Sequence, residues 1–216
     1  MKKNIISVSA RKSPLSLAQA KEVEEEIQKF HHHISFKIFT VESHGDKDKK
    51  TSLRSLDKTD FFTREIDELV INRTCQIAIH SAKDLPEKIP EELSMIALTK
   101  GLTPSDSLVL REGEKLRSGS IVATSSERRE ELVREICPVK FVDIRGTIGE
   151  RLDKLKNGEI DGIVIAEAAL IRLGLTHLNR IHLNGPTVPF QGQLAIMARK
   201  DNVEMRRIFT CVDSRS

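Results

Sequence analysis

Apolar residues recur along the chain in two rhythms, and each rhythm names an element. Ile5-Ile6-Ser7-Val8 is a strand-like run, and Ser13-Pro14 behind it supplies a helix N-cap with proline at the first helical position. Ala20, Val23, Ile27 and Phe30 repeat at helical spacing, whereas Ile34, Phe36 and Ile38 alternate with polar neighbours, predicting a helix and then a strand over 34–41. Phe62, Ile66 and Leu69 mark a second helix, Ile77 to His80 the next strand, and Ser94 to Thr99 another apolar run of strand length. At 101-GLTPSDS-107 the composition shifts to Gly, Pro and Ser, the mark of a hinge.

A second alternating set follows: strand 120–123, helix 126–136, strand 139–144, helix 147–157, strand 160–166 and a short helix over 167–173. Thr147 and Glu150 form a capping-box pair, and Gly158 closes that helix. The stretch 184-NGPTVPFQGQ-193 reads as a second crossing, after which Leu194 to Arg199 is again apolar. Repeated strand–helix units predict an α/β fold of mainly parallel sheets flanked by helices. The two crossings divide it into a first domain, 1–99 plus 188–216, and a second, 100–187, with a ligand expected in the cleft between them.

The 216 residues are 38% apolar and 31% charged, enough for a core beneath an ionic surface. With no Trp, no Tyr and eight Phe the chain lacks stacking platforms for nucleic acid, and a net charge of +3 suits a small anion better than a DNA groove. Cys75, Cys137 and Cys211 are scattered, which fits a reducing cytosol and no disulfide framework. MKKNIISVSARKS reads as a first strand rather than a signal peptide, and no apolar run reaches membrane-spanning length. A soluble cytoplasmic monomer is expected, binding neither nucleic acid nor membrane.

Chemistry gathers where strands end. The stretch 75-CQIAIHSAKDLP-86 runs a buried strand into Lys83 and Asp84, at the carboxyl edge where open α/β sheets bind ligands. Three further junctions, 10-ARKSP-14, 124-TSSERR-129 and 145-RGTIGER-151, place hydroxyls, helix N-termini and arginines together, and Arg172 in 170-LIRLGL-175 joins them. Such groups receive carboxylates or phosphates. Each also has a plain reading: Ser13, Ser126 and Thr147 as ordinary caps, Lys83–Asp84 as a surface bridge, Arg151 as a partner of Glu150 or Asp153. Arg128 and Arg129 point about 100° apart on a helix, so the plain reading leaves at least one of them merely solvated. His31-His32-His33 reads as a solvated turn rather than a metal site, and Glu24-Glu25-Glu26 as the wet face of the first helix. No P-loop, dinucleotide fingerprint or zinc spacing is present, and no metal is expected.

The stretches 10-ARKSPLSLAQA-20, 80-HSAKDLP-86, 120-SIVATSSERR-129, 145-RGTIGERLDKLKNGEIDGIVIA-166, 170-LIRLGL-175 and 188-VPFQGQLA-195 resemble the porphobilinogen deaminase (hydroxymethylbilane synthase) family. The resemblance implies two periplasmic-binding-protein-like domains joined by two crossover linkers. It also implies a small third domain, which a chain ending at Ser216 is expected to lack. The implied reaction condenses porphobilinogen units head to tail, with loss of ammonia, into the linear tetrapyrrole hydroxymethylbilane of heme biosynthesis, on a dipyrromethane cofactor. By position, Asp84 would be the catalytic carboxylate with Lys83 as its partner. Arg11, Ser13, Gln19, Ser81, Thr124, Ser125, Ser126, Arg128, Arg129, Arg145, Gly146, Arg151 and Arg172 would grip the acetate and propionate groups. Lys58 is the candidate for the family's loop lysine, without its flanking glycines.

The family holds dipyrromethane by a thioether to a cysteine in a Gly-Gly-Cys context, which none of the three cysteines has. Three explanations stand: a truncated chain, attachment elsewhere (Cys211 being the exposed choice), or non-covalent priming. Two other functions compete with the transferase. One is a two-domain binder of a polycarboxylate or pyrrole ligand without chemistry. The other is a weak nucleic-acid binder, resting on the pI of 8.7.

Overall fold

The computed structural model describes residues 4–48, 51–52, 54 and 59–215. Ten strands and seven α-helices make up its regular elements among these residues. β1 (Asn4–Arg11) leads into α1 (Pro14–Gln28), β2 (Ile34–Val41), the single turn α2 (His44–Lys47) and α3 (Arg64–Ile71). β3 (Ile77–Ser81) runs into a 3₁₀ turn, Ala82–Asp84, before β4 (Leu93–Leu98). Then come β5 (Asp106–Leu110), β6 (Ile121–Ala123), α4 (Glu127–Arg134), β7 (Lys140–Val142), α5 (Ile148–Lys156), β8 (Gly162–Ala166), α6 (Glu167–Arg172) and β9 (Arg180–Leu183). β10 (Leu194–Arg199), α7 (Val203–Phe209) and a 3₁₀ turn at Thr210–Val212 are the last of the described elements.

The strands form two five-stranded sheets, in the orders β2-β1-β3-β10-β4 and β7-β6-β8-β5-β9. β1 is parallel to both neighbours, as is β6. β10 is antiparallel to β3 and β4, and β5 to β8 and β9. The sheets are therefore mixed, and the antiparallel member of each is the strand that follows a crossing.

Both faces of the first sheet are buried, as a sheet sandwiched between helices requires. Ile77 and Ile79 of β3 and Ile196 of β10 join Val23, Ile27 and Phe209 on one face. Ala78, Ala195 and Met197 join Ile66 and Val70 of α3 on the other, the period-two alternation of a strand. In the second sheet, Leu108, Val122 and Val164 pack with Leu132 and Val133 of α4.

Local signals set the helix ends. Ser13 accepts from Ser16 N at 3.2 Å ahead of Pro14. α5 carries the complete capping box of Thr147 and Glu150, and Gly158 follows its C-cap at φ +80°, which a glycine adopts without strain.

Several expectations need correction. The hinge expected over 101–107 already contains the start of β5, whose Asp106 and Ser107 are polar yet fully buried beside Leu108, Val109 and Leu110. β9, α2 and α7 carry no long apolar period and were not anticipated. α1 stops at Gln28, so Phe30 stands outside it, 58% exposed. Glu24 is not on a wet face: its Oε1 accepts from Phe36 N at 2.7 Å, covering the N–H row of the edge strand β2.

The described residues fall into two compact units, one within Met1–Lys47, Lys58–Leu102 and Gln193–Ser216, the other within Asp48–Asp57 and Thr103–Gly192. The segment at Asp48 thus groups with the second unit, where the sequence reading had placed it in the first. Arg54 explains the grouping, since it donates to Thr124 O at 3.0 Å and pairs with Glu130.

Candidate active site

In the first unit the parallel neighbours β1 and β3 end at the same edge, at Arg11 and Ser81. From Arg11 the chain turns through the Ser13 cap into α1, and from Ser81 it enters the 3₁₀ turn that ends at Asp84. Between these exits lies a cavity of about 70 Å³, lined by Arg11, Ser13, Gln19, Phe62, Thr63, His80, Ser81 and Asp84 among others. Five residues predicted from the sequence thus come together. Lys83 sits on the same turn without lining the cavity, and Lys58 lies outside the described residues.

The cavity walls are fixed. Arg11 donates from Nε to Asp46 Oδ2 at 3.2 Å, pairs with Oδ1 through Nη2, and stacks its guanidinium 4.7 Å over the Phe62 ring. Burial acts to raise the Asp46 carboxyl, but hydrogen bonds from Arg11 and Ser43 outweigh it and hold the carboxyl below its usual value. Gln19, 4% exposed, donates from Nε2 to Ser81 Oγ at 2.8 Å. His80 Nε2 stands 2.9 Å from Asp67 Oδ1, both side chains 4% exposed. Asp84 is exposed at the mouth.

Sequence reasoning missed Asp46, Phe62, Thr63, Asp67 and His80. His80 stood inside a quoted motif. Asp67 carried no signal, because a carboxylate between Ile66 and Glu68 on a helix looks solvent-facing.

The second unit repeats the pattern. Thr124, Ser125 and Ser126 follow β6. Thr124 is 2% exposed, and its Oγ1 accepts from Ser126 N at 3.3 Å. Ser125 Oγ donates to Ile144 O at 2.9 Å and bonds Asp143. Ser126 occupies the N-cap position of α4, yet its hydroxyl makes no cap bond. Thr147 does cap α5, as the plain reading held.

The plain reading, in which at least one of Arg128 and Arg129 is merely solvated, does not hold. Both grip the buried carboxylate of Asp106 at 2.6 Å, and Arg128 also donates to Pro186 O at 2.6 Å. Burial raises the Asp106 carboxyl, but Arg129 and Arg128 together hold it below the usual range. Arg145 donates to Asp48 O at 2.6 Å, Arg151 Nε to Gly146 O at 2.7 Å, and Arg172 to Gly192 O at 2.8 Å. These bonds use part of each guanidinium. The Nε groups of Arg128 and Arg129 are buried without a partner among the described residues.

Such a donor set fits a ligand bearing several carboxylates, as dipyrromethane does, but no cysteine lines the cavity. Cys75 is buried ahead of β3, and its thiol is pushed up to about 11 by burial. Cys137 follows α4 in the second unit. Cys211 is exposed and feels the charge of Glu26, near the far end of α1 from Ser13. At 1.5 Å per residue that is about 20 Å along the helix. Attachment through Cys211 would therefore leave the pyrroles remote from Asp84. Among the described residues no cluster of three His, Cys, Asp or Glu side chains could hold a metal, and no helix is long and apolar enough to cross a membrane.

Solved structures place the fold. The probable amino-acid ABC transporter extracellular-binding protein ytmK of Bacillus subtilis aligns with a TM-score of 0.52 at 14% identity, over 97% of this chain and 90% of that one. A TRAP periplasmic solute binding protein of Desulfovibrio salexigens aligns at 0.55 and 10% identity, over 97% and 72%. These are two-domain periplasmic-binding-protein-like folds, as expected.

Sequence comparison reaches further. The "Porphobilinogen deaminase, dipyromethane cofactor binding domain" family model matches residues 6–207. A probable porphobilinogen deaminase of Chlamydia pneumoniae is 37% identical, over 99% of this chain and 92% of that protein. That of Chlamydia muridarum is 40% identical, over 95% and 86%. The porphobilinogen deaminase of Nostoc sp. is 35% identical, over 96% and 68%. Agreement running through nearly the whole sequence is that of common descent, and the chain belongs to the porphobilinogen deaminase family.

Proposed function

We propose that the chain condenses porphobilinogen units head to tail, releasing ammonia, and that Asp84 is the carboxylate that makes the condensation possible. The family assignment supplies the transferase chemistry and the dipyrromethane cofactor. The observation that carries the residue assignment is the gathering of Asp84, Arg11, Ser13, Gln19 and Ser81 around one cavity.

From the protonated aminomethyl group, C–N cleavage sends the bonding pair to nitrogen, releases neutral ammonia and leaves an azafulvenium cation, its charge shared with the ring N–H. A carboxylate held against that N–H stabilises the cation as it forms. The same group can then take the proton lost from the attacked ring carbon. Arg11, fixed by Asp46 and Phe62, and Ser13 are placed to receive an acetate or propionate. Gln19 and Ser81 hold one another and line the same cavity.

Dipyrromethane, when bound, supplies the free pyrrole carbon on which the first unit is added. Arg128, Arg129, Arg145, Arg151 and Arg172, with Thr124, Ser125, Ser126 and Gly146, are the groups suited to its carboxylates and to those of the growing chain. Lys83 follows as a second charge beside Asp84. A cytoplasmic monomer binding no nucleic acid belongs to the same reading. The free cysteines and the absence of Trp and Tyr support it.

Asp84→Asn tests the assignment, because it keeps the shape and removes the charge. Turnover of porphobilinogen to hydroxymethylbilane should fall about 10²–10⁴-fold while ligand binding persists. A variant turning over at the wild-type rate would refute the role. Uptake without turnover in the wild type would favour the binding protein.

A further inference from the structure

The cavity holds polar groups that this mechanism does not use. Thr63 is 1% exposed and lines the cavity, and its Oγ1 is buried with no partner among the described residues. His80, 5% exposed, lines it too. With the ring proton on Nε2, His80 donates to Asp67 Oδ1 across 2.9 Å. That tautomer leaves Nδ1 as an acceptor. Asp67 N in turn donates to Thr63 O at 2.8 Å, so Asp67 stands one turn beyond Thr63, the N-cap of α3. A buried polar group such as Thr63 Oγ1 is rarely left unsatisfied without a reason.

We propose that Thr63 and the Asp67-oriented His80 form a subsite for the aminomethyl nitrogen of the substrate and for the ammonia it becomes. This rests on the reading that the cavity receives an aminomethylpyrrole. The charges favour nitrogen over carboxylate here. Asp67 lies directly behind the ring, Asp84 is the other anion on the wall, and the guanidinium of Arg11 is neutralised in part by Asp46. At about 70 Å³ the cavity has room for a group of ammonium size, since a water needs about 10–15 Å³ of such space. As the C–N bond breaks, His80 Nδ1 accepts one N–H of the departing ammonia and Thr63 Oγ1 another. His80 is then a catalytic residue in contact with the leaving group, and Asp67 a positioning residue that fixes its tautomer.

The test is a titration of the full chain, labelled with nitrogen-15 histidine, with ammonium chloride and with sodium chloride as the salt control. The ring nitrogens of His80 are followed by long-range proton–nitrogen correlation. The wild type should carry the ring proton on Nε2, and its Nδ1 signal should move with ammonium and not with sodium. Thr63→Val should weaken the ammonium response several-fold, the scale of one hydrogen bond. Asp67→Asn should populate both tautomers.

A proton on Nδ1 in the wild type, equal responses to both salts, or an unchanged titration in Thr63→Val would overturn the proposal. An ammonium-responsive His80 in a protein that releases no ammonia from porphobilinogen would preserve the subsite and sink the transferase reading. Turnover with a silent His80 would do the reverse.

Discussion

Replacing Asp106 by Asn should be among the most damaging single changes in the second unit. The carboxylate is fully buried, while the side chains of Arg128 and Arg129 are 18% and 15% exposed. At that burial solvent screening removes little. Each charge-assisted hydrogen bond contributes about 1.5–3 kcal/mol net, and removing one partner of a buried pair costs about 3–5 kcal/mol. The two bonds share one carboxylate and are not additive, so about 4 kcal/mol is the expected loss.

With a urea slope of about 2 kcal/mol/M, the unfolding midpoint followed by far-UV circular dichroism should drop by about 2 M. The pH dependence has a definite sign. Asp106 is held below its usual value in the folded protein. Its contribution is therefore complete above the unfolded value near 3.9 and disappears as pH falls through the lower folded value. The gap between wild type and Asp106→Asn should be constant from about pH 5 to 8 and shrink below about pH 4. A midpoint shift under about 0.5 M at pH 7, or a gap that persists in acid, would refute the reasoning.

Three further outcomes are expected. Gly192→Ala would place a Cβ 2.2 Å from Thr103 O at φ +86°, so the melting temperature should fall by about 4–8 °C, and an unchanged value would contradict the close approach. Thr147→Ala removes the hydroxyl of the α5 capping box and should cost about 1 kcal/mol in chemical denaturation. Thiol labelling of the native protein at pH 7.5 should modify exposed Cys211 first and leave Cys75, with its thiol at about 11, unreactive until unfolding, as peptide mapping would show.

Much of the framework was readable because it depends on local patterns. The alternation in 34–41, the Ser13-Pro14 start and the Thr147/Glu150 box each lie within a few residues of one another, and the motif ending in Asp84 marks a strand's carboxyl end. What escaped depends on partners far away in sequence. Asp106 looked like hinge material because Arg128 and Arg129, which make its burial possible, stand some twenty positions later. Asp67 looked solvated because His80 arrives only when β3 pairs against β1. Glu24 looked wet because the N–H it covers belongs to the next element. The anticipated arginines were found at the strand ends, but the acids that hold Arg11, Arg128 and Arg129 in place were not anticipated.

The return of the chain through β10 also sets a timetable for synthesis. Ser81 pairs with Leu194, so the strand that fills the gap between β3 and β4 is made after nearly all the rest. At about 5–20 residues per second, a ribosome needs roughly 6–23 seconds to travel from one partner to the other. Throughout that interval the two flanking strands have bare, apolar edges of the kind that recruit other chains. The second unit, whose sheet is encoded without such a wait, can consolidate first, and a nascent chain stalled before Leu194 would be the species most in need of a chaperone.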